Sequence, residues 1–174
     1  MIQQLFPIPI YCEQVSNFKE IQAELKKAVD NTKFAMRPDW GVTHYLSDPT
    51  FKENYLVKHK CDTLLFEISM HVQKYAQNLN VGKDLRVQES WAALFTKGNY
   101  GHIHDHIGTI SGVYYFHTKG SDSNIFFSPE YSYQARVNVT AEDGMLLLFP
   151  SHLRHGITTN TTNETRISIS FNLM

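Results

Sequence analysis

From Leu85 onward the sequence breaks into short β-rich runs separated by turn residues, and this pattern limits the fold more than any other feature. The runs are Leu85 to Thr96, Gly101 to His106, Ile110 to His117, Asn124 to Ser128, Ala135 to Thr140, Met145 to Phe149, His155 to Thr159 and Arg166 to Leu173. Runs rich in Val, Ile, Phe and Tyr, bounded by Gly, Asn, Asp and Pro, read as the strands of a sandwich or barrel. Eight of them within about ninety residues match the strand count of a jelly roll.

The amino-terminal half has a different period. Leu5 to Val15 is apolar and aromatic but carries Pro7 and Pro9, so it suits an edge strand, where a missing N–H leaves no gap in a ladder. Ser16 is the expected cap of a helix with Glu20 in its first turn and Ile21, Leu25 and Val29 at helical spacing, fading near Asn31. Thr32 to Asn54 is an irregular connection marked by turn signals, with Trp40, Tyr45 and Phe51 expected to touch a core. From Asp62 to Leu79 the residues Leu64, Leu65, Ile68, Val72, Tyr75, Ala76 and Leu79 recur at three and four, and Asn80 and Gly82 end this second amphipathic helix.

Length and charge narrow the class. At 174 residues with 42% hydrophobic content, the whole chain, 1–174, is expected to form a single domain. A formal charge of -1 and no Lys/Arg block give no footprint for nucleic acid or an anionic membrane surface. The amino terminus lacks a basic n-region, and no stretch has the apolar length of a membrane span. Cys12 and Cys61 have neither disulfide-framework nor metal-ligand spacing, so a cytoplasmic setting is expected. The proline-broken edge strand offers a border on which a second copy could pair as a homodimer.

Chemistry is concentrated in the histidines. Of nine, five fall in two clusters, His102-Ile103-His104-Asp105-His106 and His152-Leu153-Arg154-His155. Alternate residues of a strand share a face, so His102, His104 and His106 are expected to project one way and Asp105 the other. Neutral imidazole is the commonest protein ligand for a divalent transition metal, and His155, on a distant run, is the natural third donor. A solvated, metal-scavenging surface tract is the plainer reading of such a run. His152 also suits a solvated turn after Pro150, His117 a structural role, and His44, His59 and His71 stand outside both clusters.

These stretches resemble a known family. Gly98 to Gly108, Ser111-Gly112-Val113-Tyr114-Tyr115, Phe149-Pro150-Ser151-His152-Leu153-Arg154-His155 and Arg166 to Asn172 are similar, in that order, to 2-oxoglutarate/Fe(II) oxygenases of marine bacteria and phages, within the prolyl-hydroxylase-like superfamily. The likeness extends to Leu5 through Pro9 and to Ser90-Trp91, nearly the entire chain. It implies a double-stranded β-helix, a cupin-like jelly roll.

The resemblance also implies the site. His104, His106 and His155 fall on the metal-ligand positions, Arg166 and Ser168 on the pair that holds the distal carboxylate of 2-oxoglutarate, and Tyr115 on a tyrosine that touches the same carboxylate. The wider superfamily carries H-x-D where this chain has His104 and His106, so either three imidazoles hold the ion or Asp105 supplies a carboxylate. Three histidines are favoured, with Asp105 and the extra His102 as supporting residues or alternative ligands. Asn172 and Trp91 are assigned to packing or pocket lining. The implied cofactors are Fe(II) and 2-oxoglutarate, and the implied activity is a dioxygenase that hydroxylates a small-molecule or peptide substrate. Two other readings are a cupin-like three-histidine enzyme that uses no 2-oxoglutarate, and a noncatalytic jelly-roll binding protein with a closed metal site.

Overall fold

The protein is described from a computed structural model covering residues 7–37, 42–48, 50, 53–82, 84–129 and 135–174. Trp40, Phe51, Tyr131 and Tyr133 and the start of the expected edge strand lie outside the described residues.

In chain order the elements are β1 (Tyr11–Gln14), α1 (Phe18–Asp30), β2 (Ala35–Met36), β3 (Tyr45–Leu46), α2 (Tyr55–Lys58), α3 (Asp62–Leu79), β4 (Val87–Phe95), β5 (Gly101–His104), β6 (Ile110–His117), β7 (Ile125–Phe127), β8 (Val137–Val139), β9 (Met145–Pro150), β10 (His155–Ile157) and β11 (Arg166–Leu173). Two antiparallel sheets face each other, a larger one in the order β1-β9-β6-β11-β4-β3-β2 and a smaller one in the order β5-β10-β7-β8. Each of the eight expected runs contains one strand. β5 is shorter than expected and ends at His104.

Layering follows from side-chain alternation. On β9, Leu146 and Leu148 point to the helices and pack with Ile21, Leu25, Leu64 and Ile68. Met145, Leu147 and Phe149 point the other way and meet Ile125, Phe127, Val113 and Tyr115 between the sheets. A strand buried on both faces needs an unbroken apolar run, and Met145-Leu146-Leu147-Leu148-Phe149 is one. Burying each of these leucines contributes roughly 1.5–3 kcal/mol.

Three details differ from expectation. The capping position of α1 is Asn17 rather than Ser16, and neither caps through its side chain. Both instead donate to the buried carboxylate of Glu67 on α3, Ser16 Oγ at 3.2 Å and Asn17 Nδ2 at 2.5 Å, so a tertiary bond displaces the local cap. The irregular connection also contains the two-residue strands β2 and β3, with β3 paired to β4. The short α2 was absent from the sequence reading; its capping residue Asn54 accepts from Val57 N and Ser90 Oγ. The end of α3 is as read, with Asn80 left-handed at φ 52.

Candidate metal centre and carboxylate pocket

β5 and β10 lie side by side, with His104 directly opposite His155. Gly101 pairs with Ile157, so three steps along β5 match two along β10, the signature of a bulge. The extra residue breaks the alternation that would have aligned His102 with His104. Both side chains are exposed to solvent, but His104 lines the cavity between the sheets, whereas His102 does not and meets the Tyr100 ring edge-on at 4.9 Å. Glycine is needed at position 156 for this pairing, because a Cβ there would stand 2.9 Å from Gly101 O and 2.6 Å from Phe126 Cζ.

His106 joins from just beyond β5, its backbone N–H donating to Ser151 O at 2.9 Å. Behind it, Ser111 Oγ lies 2.9 Å from Ser151 Oγ and 2.8 Å from Asn172 Oδ1. One nitrogen from each of His104, His106 and His155 lies within 4.8 Å of the others, and this is the one such cluster among the described residues. Modest side-chain rotation closes that separation to the about 3 Å between adjacent donors of a bound transition ion.

The imidazoles are prepared as ligands. His104 Nδ1 donates to His102 O at 2.7 Å and His155 Nδ1 to Leu153 O at 2.9 Å, which leaves each Nε2 with its lone pair free. Burial pushes the His155 pKa down to about 3, with His104 and His106 adding to the shift and the Leu153 carbonyl opposing it. Burial and His104 hold His106 near about 4 against the opposing charge of Asp105. Asp105 is exposed and lies outside the cluster. The supporting acceptors are backbone carbonyls: His102 serves through its C=O, not its ring.

The cavity continues from the histidines across the inner face of the larger sheet. Trp91 borders the metal end, its ring 5.6 Å from that of His106. Arg166, 1% exposed, lines the far end together with Ser168. Among the described residues, none of the three guanidinium nitrogens nor the fully buried Tyr115 hydroxyl makes a hydrogen bond of good geometry, although the phenol and the guanidinium are near enough to interact with each other. The Arg166 Cζ instead lies 4.9 Å over the Phe95 ring and 5.1 Å over the Tyr115 ring. Ser168 pairs across the sheet with Tyr115, which brings the expected carboxylate-binding residues together. Burial lowers the Arg166 pKa, the neighbouring phenol opposing, and burial raises Tyr115 to about 12, the guanidinium opposing. A buried cation and a buried hydroxyl, with no well-aligned partner but each other, fit a carboxylate of a bound dicarboxylic acid.

Sequence reading missed two residues here, His44 and Phe95. His44 also lines the cavity, and burial, opposed by the Tyr100 carbonyl, takes its pKa down to about 4. A lone histidine in an irregular segment carries no pattern that would have marked it.

Residues 89–172 match the family described as "Putative 2OG-Fe(II) oxygenase". No curated protein matches the chain by sequence. Among solved structures, a Pseudomonas putida prolyl-4-hydroxylase shares the fold with TM-score 0.60 at 15% identity, over 94% of this chain and 86% of that one. The 2-oxoglutarate-dependent epimerase SnoN from nogalamycin biosynthesis does so with TM-score 0.70 at 14% identity, over 96% and 78%. HygX from Streptomyces hygroscopicus, solved with nickel and 2-oxoglutarate bound, aligns with TM-score 0.62 at 11% identity, over 94% and 82%. The matched segment contains the three clustered histidines, Tyr115, Arg166 and Ser168, so the part of the chain that carries the site is similar to the 2OG-Fe(II) oxygenase family.

Proposed function

We propose that the chain is a 2-oxoglutarate-dependent non-haem iron dioxygenase in which His104, His106 and His155 hold Fe(II), while Arg166, Ser168 and Tyr115 hold the distal carboxylate of 2-oxoglutarate. The observation that carries this reading is Arg166, a buried guanidinium with no well-aligned hydrogen bond and no carboxylate partner among the described residues, in the same cavity as three clustered imidazoles. A cupin-like enzyme that binds its substrate straight to the metal would have no use for such a group. A closed structural metal site would need a fourth ligand, and among the described residues the cluster has three.

Once bound, iron and 2-oxoglutarate supply the oxidising chemistry: one oxygen atom of O2 goes to succinate as CO2 leaves, and the other goes into a substrate C–H bond to give an alcohol. The residues of the chain position and insulate. Three neutral imidazoles leave the other coordination positions open for cosubstrate and oxygen. Arg166 fixes the cosubstrate through a two-pronged charge-assisted contact, and Phe149 and Phe127 wall the metal end against water, with ring centroids 4.7 Å and 6.2 Å from His155. The same fold has been solved with hygromycin B in HygX and with a peptide fragment in a Trichoplax adhaerens prolyl hydroxylase, which supports a small-molecule or peptide substrate here.

The test is succinate formation from 2-oxoglutarate by anaerobically Fe(II)-loaded protein on exposure to oxygen. Succinate is expected from the wild type and lost in His155→Ala and Arg166→Ala. A protein that neither forms succinate nor binds 2-oxoglutarate would overturn the proposal.

A further inference from the structure

The larger sheet places three side chains in one row across three adjacent strands. Tyr45 pairs with Leu94, so the preceding residue, His44, stands beside Phe95. Phe95 pairs on its other side with Arg166. β4 lies between β3 and β11, so Phe95 separates His44 from Arg166. The contacts agree with that order: the His44 ring stacks on Phe95 at 4.2 Å and 14°, and the guanidinium carbon of Arg166 lies 4.9 Å from the same ring.

We propose that His44 is a positioning residue for 2-oxoglutarate, holding Phe95 in the orientation that aims the Arg166 guanidinium at the cosubstrate carboxylate. The inference rests on the function proposed above. Among the described residues no well-aligned hydrogen bond holds the guanidinium, so its direction is set by the Tyr115 phenol, which also interacts with it electrostatically, and by packing against the Phe95 ring. Tyr115 is fixed by a fully buried position in the middle of β6. Phe95 is the last residue of β4, and His44 covers the flank of its ring away from Arg166.

His44 is itself firmly mounted. Its Nδ1 faces Tyr100 O at 3.4 Å. The preceding Thr43 donates through Oγ1 to that carbonyl at 2.6 Å and accepts from Tyr100 N at 2.8 Å. Asn99 Nδ2 donates to the Thr43 carbonyl. The imidazole takes no part in the three-histidine cluster, and its ring contact is with Phe95, the residue that also packs on Arg166, so its effect is placed at the cosubstrate end of the cavity. A guanidinium already aimed loses less freedom when the carboxylate arrives, and that preorganisation appears as affinity.

The test compares His44→Ala and His44→Phe with wild type by calorimetric titration of 2-oxoglutarate into anaerobic Fe(II)-loaded protein, with Fe(II) affinity measured separately by chelator competition. Loss of one aromatic stack predicts 2-oxoglutarate binding weaker by about three- to tenfold in His44→Ala. Fe(II) affinity stays unchanged, and His44→Phe, which restores a flat ring, stays within about twofold of wild type. The role of His44 is overturned if His44→Ala binds 2-oxoglutarate as wild type does, if it loses Fe(II) affinity in parallel, or if His44→Phe is as weak as His44→Ala. Wild-type protein that binds no 2-oxoglutarate would instead remove the cosubstrate reading itself, and this inference with it.

Discussion

Replacing Arg166 by methionine separates a binding group from a structural one. In the metal-free protein the buried guanidinium makes no well-aligned hydrogen bond, a deficit against stability that exceeds the about 1–3 kcal/mol of a neutral group because this one is charged. Its two aromatic faces return about 0.5–2 kcal/mol each, and a methionine sulfur on the same rings recovers about 0.3–1.5 kcal/mol. The charge penalty is at least as large as what the rings return. Metal-free Arg166→Met should therefore be no more than about 1 kcal/mol, or about 4 °C in Tm, less stable than wild type, whereas removing one partner of a satisfied buried pair costs about 3–5 kcal/mol. With cosubstrate the outcome changes. At a hundredfold excess over its Kd, 2-oxoglutarate should raise the Tm of Fe(II)-loaded wild type by about 5–11 °C, from about 2.7 kcal/mol of linkage. Losing the buried charge contact costs about 2–5 kcal/mol of affinity, roughly 30- to 4,000-fold, so the same concentration should shift Arg166→Met by less than about 3 °C. Thermal melts of both proteins under anaerobic conditions, with and without 2-oxoglutarate, decide it. A metal-free variant that melts about 10 °C or more below wild type, or one that keeps the full 2-oxoglutarate shift, would refute the reasoning.

Three further predictions follow the same geometry. Metal-free protein should lose stability as the pH falls from 7.5 to 5: His44 and His106 are held near about 4 and His155 near about 3, while the unfolded imidazoles take up protons from about 6.5 downward. Each of the three contributes about 2 kcal/mol, so urea titrations should show a drop of up to about 6 kcal/mol over that interval, and a flat or rising profile would count against neutral buried imidazoles. Gly156→Ala should push β10 away from β5 and weaken Fe(II) binding at least about tenfold, at a stability cost of about 1–3 kcal/mol; unchanged binding in a chelator competition would show that the close approach at Gly101 O does not matter. His102→Ala should keep Fe(II) affinity within about twofold, because its carbonyl rather than its ring supports His104, whereas His104→Ala should lose at least about a hundredfold.

Much of the fold was legible because each strand carries its own signal. β6 and β11 begin and end where the sequence places them, at Ile110–His117 and Arg166–Leu173, since alternation and flanking turns are local properties. α3 was legible for the same reason. Features set by a distant partner were not. The bulge that separates His102 from His104 exists only because β5 pairs with β10, and nothing within His102-Ile103-His104 encodes it. The Ser16 cap was lost to Glu67, a residue far along the chain. The His44–Phe95–Arg166 row depends on the register of three strands, so its members look unrelated in sequence. Arg166 and Ser168 were foreseeable as a pair through the family resemblance, which their spacing of two on one strand fits, although the lack of a well-aligned hydrogen bond to the guanidinium could be seen only in three dimensions.

The most direct test of the central claim is an anaerobic crystal structure of the protein with Fe(II) and 2-oxoglutarate, with anomalous data at the iron edge. The account predicts one iron peak held by the Nε2 atoms of His104, His106 and His155, with the far carboxylate of 2-oxoglutarate gripped by Arg166. Iron ligated by Asp105 or by the His102 ring, or a 2-oxoglutarate that leaves Arg166 untouched, would contradict it.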